Sequence, residues 1–226
     1  MDTSALWLTL RLAGLTTLCL LAIATPLALW ISSNHSFSRR ILQAIVALPL
    51  VLPPTVLGYY LLVGLGPTTA LGRTLIALLG HPLAFTFSGL LLGSMLYSLP
   101  FAVQPLVVGF SSIDRDVIES ARVLGASPWH LFRTILAPLA KTSFLTAAVL
   151  TFAHTVGEFG VVLMIGGDIP GVTRTLSISI FDLVQETNYP AASRTSLALV
   201  ALSFLALLFV YGQAARSSQR REDTLG

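Results

Sequence analysis

The sequence predicts an all-α integral membrane protein with about five transmembrane helices. Three observations carry this prediction: 54% of the 226 residues are hydrophobic, 10% are charged, and the mean hydropathy is +0.83. An ordinary soluble domain has about 25% charged residues, so too few charges are present to cover a water-facing surface. The composition excludes a soluble enzyme or a disordered chain and indicates a single transmembrane domain over residues 1–226.

Five apolar stretches are long enough to cross a bilayer. A helix rises about 1.5 Å per residue, so a hydrocarbon core of about 30 Å requires about 20 apolar residues. The stretches that meet this requirement are 12–31, 41–65, 84–109, 142–165 and 195–215.

A further segment, 172–186, contains apolar residues but is too short and too polar to span the membrane. Leu176, Ile180 and Leu183 recur in it at helical spacing. This spacing predicts an interfacial or re-entrant helix on the outer side.

The basic residues predict the orientation of the spans. Lys and Arg are enriched in cytoplasmic loops. With the N-terminus outside, nine of the thirteen Lys and Arg residues fall in inner loops, and the opposite orientation reverses this bias. We therefore expect a multi-pass protein of the inner (plasma) membrane with an outside N-terminus and a cytoplasmic C-terminus. Its longest inner loop would be residues 111–141.

Two short helices are predicted in this inner loop. Ser112 is a candidate N-cap for the first, which would run to Leu124. Gly125 then lies where a left-handed C-terminal residue is favoured. Ser127 and Pro128 are suited to restart a helix, as its cap and its first residue.

The apolar face of the second helix leaves two interpretations open. Trp129, Phe132, Ile135 and Leu136 form this face. The loop is either a hairpin that lies on the bilayer surface or a docking element for another protein. Composition favours neither of them.

The same loop resembles the EAA signature of the membrane subunits of ABC importers. That signature is Glu-Ala-Ala, three residues, Gly, nine residues, then Ile-x-Leu-Pro; both spacings hold here, although Ser120 and Ala137 replace an Ala and the Leu. The resemblance implies that the loop, about 111–138, forms coupling helices that contact a cytoplasmic ATPase. The residues expected in this coupling loop are Glu119, Ser120, Ala121, Gly125, Trp129, Ile135 and Pro138.

Three other segments resemble molybdate permease subunits, which are related to sulfate permeases: residues 48–59, 157–160 and 169–175. The resemblance implies the type I ABC importer permease fold and the import of molybdate or tungstate. A sulfate or thiosulfate permease is the alternative.

The resemblance also implies partners. A P-loop requires Gly-x-x-x-x-Gly-Lys-Ser/Thr, and the only lysine, Lys141, follows Ala140. We therefore expect a transport subunit rather than an enzyme, with no cofactor of its own and with ATP and Mg²⁺ on a separate ATPase dimer. The family further implies a homodimer and a periplasmic or extracellular oxyanion-binding protein, with membrane lipid around the bundle. No nucleic acid partner is expected.

Several residues inside the spans are candidates for the gate or pathway. Glu158 and His154 are four residues apart on the fourth span, so their side chains can meet. A satisfied polar pair near the outer surface is the simpler interpretation, and it is favoured for His154. Prolines at the start of the second span should kink or unwind it. The gate candidates are Pro53, Pro54, Gly157, Glu158, Phe159 and Gly160.

Arg174 is the candidate outer contact for the anion or the binding protein, because a planar guanidinium suits oxyanion geometry. No metal site is expected, since the single Cys and the four His, including His35, are scattered. Two other classes stay open. One is a proton-coupled secondary anion transporter that uses Glu158 and His154. The other is an integral membrane enzyme, which is disfavoured because the sequence contains no catalytic constellation.

Overall fold

The computed structural model describes residues 2–33 and 36–222, without the side chains of 209–211 and 213–222. All regular secondary structure in this part of the chain is helical. His35 and the side chains of three predicted inner arginines, Arg216, Arg220 and Arg221, lie outside the described residues. The helices are α1 (Thr3–Ser32), α2 (Phe37–Ala47), α3 (Pro54–Gly64), α4 (Ala70–Leu79), α5 (Phe87–Ser111), α6 (Arg115–Val123), α7 (Pro128–Leu131), α8 (Ala137–Leu139), α9 (Lys141–Gly157), α10 (Gly160–Gly166), α11 (Leu176–Gln185) and α12 (Tyr189–Glu222).

Three helices are long and apolar enough to cross a membrane: α1, α5 and α12. Two bent pairs raise the number of spans to five if each pair is counted once. In the first pair, Phe37–Leu50 and Pro54–Gly64 meet at 107°. The predicted kink in the span 41–65 is therefore confirmed, because Pro53 and Pro54 cannot continue the backbone ladder from the 3₁₀ turn Leu48–Leu50.

The predicted fourth span, 142–165, is also interrupted. Helix α9 follows Pro128–Leu139 at a bend of 73° and ends at Gly157. Glu158 is extended, with ψ 134°, and α10 begins at Gly160. A continuous helix through Glu158 was therefore wrong, since the two flanking glycines have low helix propensity and permit the break.

Close packing of α1 against α5 and α9 forms the centre of the bundle. Small residues at these contacts are fully buried, among them Ala24, Ala28, Ala102 and Ala147. Small side chains let helix backbones approach closely, which is how helices pack in membranes. A second cluster of buried apolar residues joins α1 and α5 to α10 and α11.

The two ends of the bundle carry different elements. Helix α1 ends at Ser32 and α5 ends at Ser111, and both ends border helices α6–α8. We call this end of the bundle the coupling end. At the opposite end, the Arg11 guanidinium lies 4.4 Å from the centre of the Phe87 ring at the start of α5.

Helix α11 enters the bundle near that opposite end. Its first turn is buried, and the backbone N–H of Leu176 donates to Thr9 Oγ1 of α1 at 2.9 Å. Ser177 Oγ donates to the Val156 carbonyl at 3.5 Å. Of the two predicted alternatives, this buried first turn fits a re-entrant helix rather than an interfacial one.

Candidate functional site

The loop at the coupling end folds into the two predicted helices, with one different cap. The first is α6, and the second is the continuous helical run Pro128–Leu139, in which a π-helical segment, Phe132–Leu136, joins α7 to α8. Asp114 Oδ1 accepts a hydrogen bond from the Asp116 backbone N–H at 3.0 Å and caps α6. The predicted cap Ser112 was wrong, because its hydroxyl instead donates to the Gly109 carbonyl at 2.8 Å. A carboxylate at the N-cap also benefits from the helix dipole.

Gly125 closes α6 in the left-handed conformation that the sequence predicts, with φ +83°. The Gly125 N–H donates to the Arg122 carbonyl at 2.9 Å, and the Ala126 N–H donates to the Ala121 carbonyl at 3.0 Å. These two bonds form a Schellman motif. Ser127 then caps α7, as predicted. The turn therefore fixes the angle between α6 and the next helix.

The hairpin formed by these helices carries exposed apolar side chains on its surface. Trp129 is 67% exposed and stacks on Phe132, with the ring centres 5.7 Å apart. Val123 and Leu124 are each 87% exposed. The exposed position of these two residues was not predicted from the sequence. The pattern that could have indicated it is an apolar pair just before the helix-ending glycine.

The remaining coupling-loop residues lie on both sides of the hairpin. Glu119, Ser120 and Pro138 are exposed, Ile135 is half-buried and Ala121 is buried. A cavity of about 600 Å³ separates the hairpin from the ends of α1 and α5. Its charged lining residues are Arg115, Glu119 and Arg122.

A second cavity, of about 550 Å³, lies among α3, α5, α9 and α10. It brings together five of the six predicted gate residues, whereas Pro53 precedes α3 as its cap. Thr55, Tyr97 and His154 add polar groups. The gate candidates that line this cavity are Pro54, Gly157, Glu158, Phe159 and Gly160.

Glu158 is 4% exposed, and neither carboxylate oxygen has a hydrogen-bond partner. The predicted polar pair of Glu158 with His154 was therefore wrong. Because α9 ends at Gly157, Glu158 is not helical, and the four-residue spacing no longer brings the side chains of His154 and Glu158 together.

His154 is satisfied instead by α5. Its Nδ1 lies 2.9 Å from Ser98 Oγ, and its ring stacks on Phe101 at 4.0 Å between ring centres. Thr155 Oγ1 donates to the Thr151 carbonyl, so it accepts from Ser98, 3.0 Å away. Ser98 then accepts from His154, which places the ring proton on Nδ1 and leaves Nε2 as an acceptor.

Glycine permits the close approach of α10 to α3. A Cβ added to Gly160 would lie 2.6 Å from Pro54 Cβ, and one added to Gly58 would lie 2.6 Å from Met164 Cβ. Contacts this short require the helices to move apart. The two glycines therefore set the separation of the helices beside Glu158.

Arg174 is held by acidic side chains at the end opposite to the coupling end. Its Nε and Nη2 donate to the two oxygens of Asp168, the Nη2 bond being 2.8 Å, and Nη2 lies 3.6 Å from Asp182. The hydrogen bond from Arg174 lowers the pKa of Asp168. Burial, and then the neighbouring Asp168, raises the pKa of Asp182. The predicted anion contact is thus already neutralised within the chain.

Asp168→Asn is expected to destabilise the protein by about 1 kcal/mol, since the bidentate pair is only partly buried. The thermal midpoint in detergent measures this change. Because the pKa of Asp168 is lowered on folding, its contribution is present above the unfolded value of about 3.9 and is lost as the pH falls below it. Asp182, with a raised pKa, acts in the opposite sense. Asp116→Asn, an exposed control, should change the midpoint little, and equal midpoints for the two variants would contradict the expectation.

Comparison with known proteins places most of the chain in one family. Residues 24–223 match the model of the binding-protein-dependent transport system inner membrane component. The chain is 50% identical to the molybdenum transport system permease protein ModB of Azotobacter vinelandii over 93% of both chains. It is 33% identical to ModB of Escherichia coli K12, covering 96% of this chain and 95% of that protein. A putative molybdenum permease of Bacillus subtilis, YvgM, is 35% identical over 90% and 89% of the two chains.

Solved structures with the same fold include a bacterial ABC transporter that imports the acidic polysaccharide alginate. The TM-score is 0.75 at 21% identity, with 94% of this chain and 78% of that chain covered. A second structure of the alginate transporter, in complex with an alginate-bound periplasmic protein, matches equally well. The predicted ABC importer permease fold is confirmed.

Proposed function

Because this chain belongs to the family of binding-protein-dependent transport system inner membrane components, we propose that it is the permease subunit of an ATP-driven molybdate importer. The observation that carries this proposal is 50% identity, over 93% of both chains, to a molybdenum transport system permease protein. Tungstate has the same tetrahedral oxyanion chemistry. A sulfate or thiosulfate permease is the alternative within the same fold.

The hairpin at the coupling end is the docking element for a cytoplasmic ATPase dimer. Trp129, Val123 and Leu124 form an exposed apolar surface on a turn whose geometry is fixed by Gly125. Exposed aromatic and aliphatic anchors on a compact helix suit insertion into a groove of a partner. The other coupling-loop residues, from Glu119 to Pro138, support this surface or line the cavity behind it.

The functional unit is a homodimer. Tyr59 and Tyr60 are 53% and 67% exposed on α3, whose first two residues line the cavity that Glu158 also lines. A bundle of about five helices is small for an enclosed pathway, and a second copy against this side would complete one. We expect the coupling end to face the cytoplasm and the N-terminus to lie outside, in agreement with the positive-inside bias.

A binding protein delivers the anion at the end opposite to the coupling end. The similar alginate transporter has been solved with its periplasmic protein. Because Asp168 and Asp182 neutralise Arg174, this loop suits contact with a binding protein better than capture of a free anion. ATP binding closes the ATPase pair, moves the coupling helices and opens the gate at residues 157–160.

Trp129→Ala is expected to reduce copurification of the ATPase about tenfold, because a Trp side chain that becomes buried in an interface is a typical hot spot. The measurement is a detergent pull-down of the tagged chain, with mass spectrometry of its partners. Trp7→Ala is the matched control, since Trp7 is 68% exposed on α1 far from the hairpin. Equal recovery of the ATPase with both variants would contradict docking through this hairpin.

The substrate is tested by uptake of labelled molybdate into proteoliposomes that contain the complete importer. Competition by tungstate and by sulfate separates the two oxyanion classes. ATP-dependent uptake blocked by tungstate, but not by sulfate, is the expected result. Uptake without an ATPase, driven by a proton gradient, would overturn the proposal in favour of a secondary transporter.

A further inference from the structure

The cavity behind the hairpin has apolar walls at the level of the membrane surface. It occupies about 600 Å³ between helices α6–α8 and the ends of α1 and α5. Leu29 of α1 and Phe110 of α5 line it from the bundle, and Leu131 of α7 lines it from the hairpin. Since α1 and α5 are both long enough to cross a membrane, their last turns lie near the boundary between the hydrocarbon core and the headgroups. The cavity is therefore placed at the depth of lipid headgroups.

One face of α6 adds charged side chains to this cavity. Residues three and four apart share a helix face, and the α6 residues that line the cavity at this spacing are Arg115, Ile118, Glu119 and Arg122. Both arginines are exposed. Among the described residues, the ion pairs within 4.0 Å all involve Arg174, so Glu119 does not neutralise Arg115 or Arg122. Two positive charges therefore face the cavity against one negative charge.

We propose that this cavity binds an anionic phospholipid of the leaflet at the coupling end. Arg115 and Arg122 hold the lipid phosphate, because a guanidinium offers paired N–H donors to phosphate oxygens. The exposed Ser111 also lines the cavity and supplies a hydroxyl donor. Leu29 and Phe110 contact an acyl chain. The volume is in the range of small-molecule sites, and a lipid bound there fills the space between the hairpin and the bundle.

A lipid suits this cavity better than a segment of the ATPase does. The exposed side chains that we assign to ATPase docking, Trp129, Val123 and Leu124, do not line the cavity. A protein segment would bring polar backbone groups against the ends of two spans, where unpaired backbone groups are costly. A phospholipid already joins an apolar chain to an anionic headgroup, and basic residues beside membrane-spanning helices attract such headgroups. The two halves of the cavity therefore match the two halves of the lipid.

The first test is titration of phosphatidylglycerol into the detergent-purified chain with its copurified partners, with bound lipid counted by native mass spectrometry. A basic residue at a membrane surface contributes about fivefold to the binding of an anionic lipid. The double variant Arg115→Gln and Arg122→Gln is therefore expected to weaken binding about tenfold or more. Arg133→Gln with Lys141→Gln is the matched control, because both residues are exposed near the hairpin and neither lines the cavity. Equal losses in the two double variants would overturn the proposal.

The second test locates the lipid in the wild-type protein and requires no variant. Phosphatidylglycerol with a photoreactive acyl chain is crosslinked to the chain in nanodiscs, and the labelled residues are identified by peptide mass spectrometry. Labels are expected within residues 29–33 and 110–118, which line the cavity from α1, α5 and α6. Phosphatidylcholine with the same photoreactive chain is the control, and it should label these residues about tenfold less. Equal labelling by the two lipids would mean that the site does not select an anion.

The remaining outcomes distinguish the lipid from other occupants. If excess inorganic phosphate abolishes the labelling, the cavity takes a free anion and the lipid is overturned. If the chain is labelled without its ATPase but not with it, the cavity is an ATPase surface. If the arginine variants do not insert, the crosslinking of the wild type decides. Neither test measures molybdate uptake, so failure of the lipid site leaves the proposed import function standing, and the reverse also holds.

Discussion

Gly125→Val is expected to reduce ATPase binding and transport-coupled ATP hydrolysis by about 30-fold or more, with the membrane bundle still inserted. Gly125 has φ +83°, and nothing lies within 4 Å of an added Cβ. The effect therefore comes from backbone strain and not from a clash. A left-handed residue costs about 1–2 kcal/mol in general, and a β-branched one costs more. About 2 kcal/mol corresponds to about 30-fold in binding.

The measurement is the molybdate-stimulated ATPase rate of the reconstituted importer, together with the amount of ATPase recovered with the permease. Gly125→Asn is the matched control, because Asn adopts the left-handed conformation far more readily than Val. We expect Asn to retain most of the coupling. Similar losses for Asn and Val would mean that the loop tolerates no side chain at all, and normal coupling in both would contradict the docking role of the hairpin.

The sequence was sufficient to predict the features that depend on local chemistry. Apolar length predicted the long helices α1, α5 and α12, and the prolines before α3 predicted its bend. In the loop, Gly125 and Ser127 behave as their residue types predict. Caps, turns and spans are determined within a few residues, so a sequence reveals them directly.

The features that the sequence did not predict depend on contacts between distant segments. The break at Glu158 places it against α5, and no local pattern indicates that the carboxyl group is left without a partner. Arg174 looked like a free cation because Asp168 and Asp182, six and eight residues away, face it only after the loop folds. Exposure of Val123 and Leu124 likewise depends on where the hairpin sits relative to the bundle.

Helix α9 connects the two sites physically. It begins at Lys141, directly after the hairpin, and ends at Gly157, beside Glu158. Its 17 residues span about 25 Å as a rigid rod. A displacement of the hairpin by the ATPase would therefore be transmitted along α9 to the junction with α10. The packing of α10 against α3 is therefore the contact that we expect to change when the hairpin moves.

Gly160→Ala is expected to abolish ATP-driven uptake and to lower the thermal midpoint in detergent. The added Cβ would lie 2.6 Å from Pro54 Cβ. A proline ring cannot rotate away, so α10 and α3 must separate, at a cost near the upper end of about 1–3 kcal/mol for overpacking. The measurements are uptake into proteoliposomes and the midpoint of thermal unfolding.

Gly157→Ala is the matched control, because it makes the same chemical change on the other side of Glu158, where nothing lies within 4 Å of an added Cβ. In a helix, Ala is favoured over Gly by about 0.5–1 kcal/mol, so this variant should be at least as stable as the wild type. If Gly160→Ala retains uptake, the separation of α3 and α10 does not control the gate. If both variants lose uptake while only Gly160→Ala is destabilised, the gate requires freedom at Gly157 as well as close packing at Gly160.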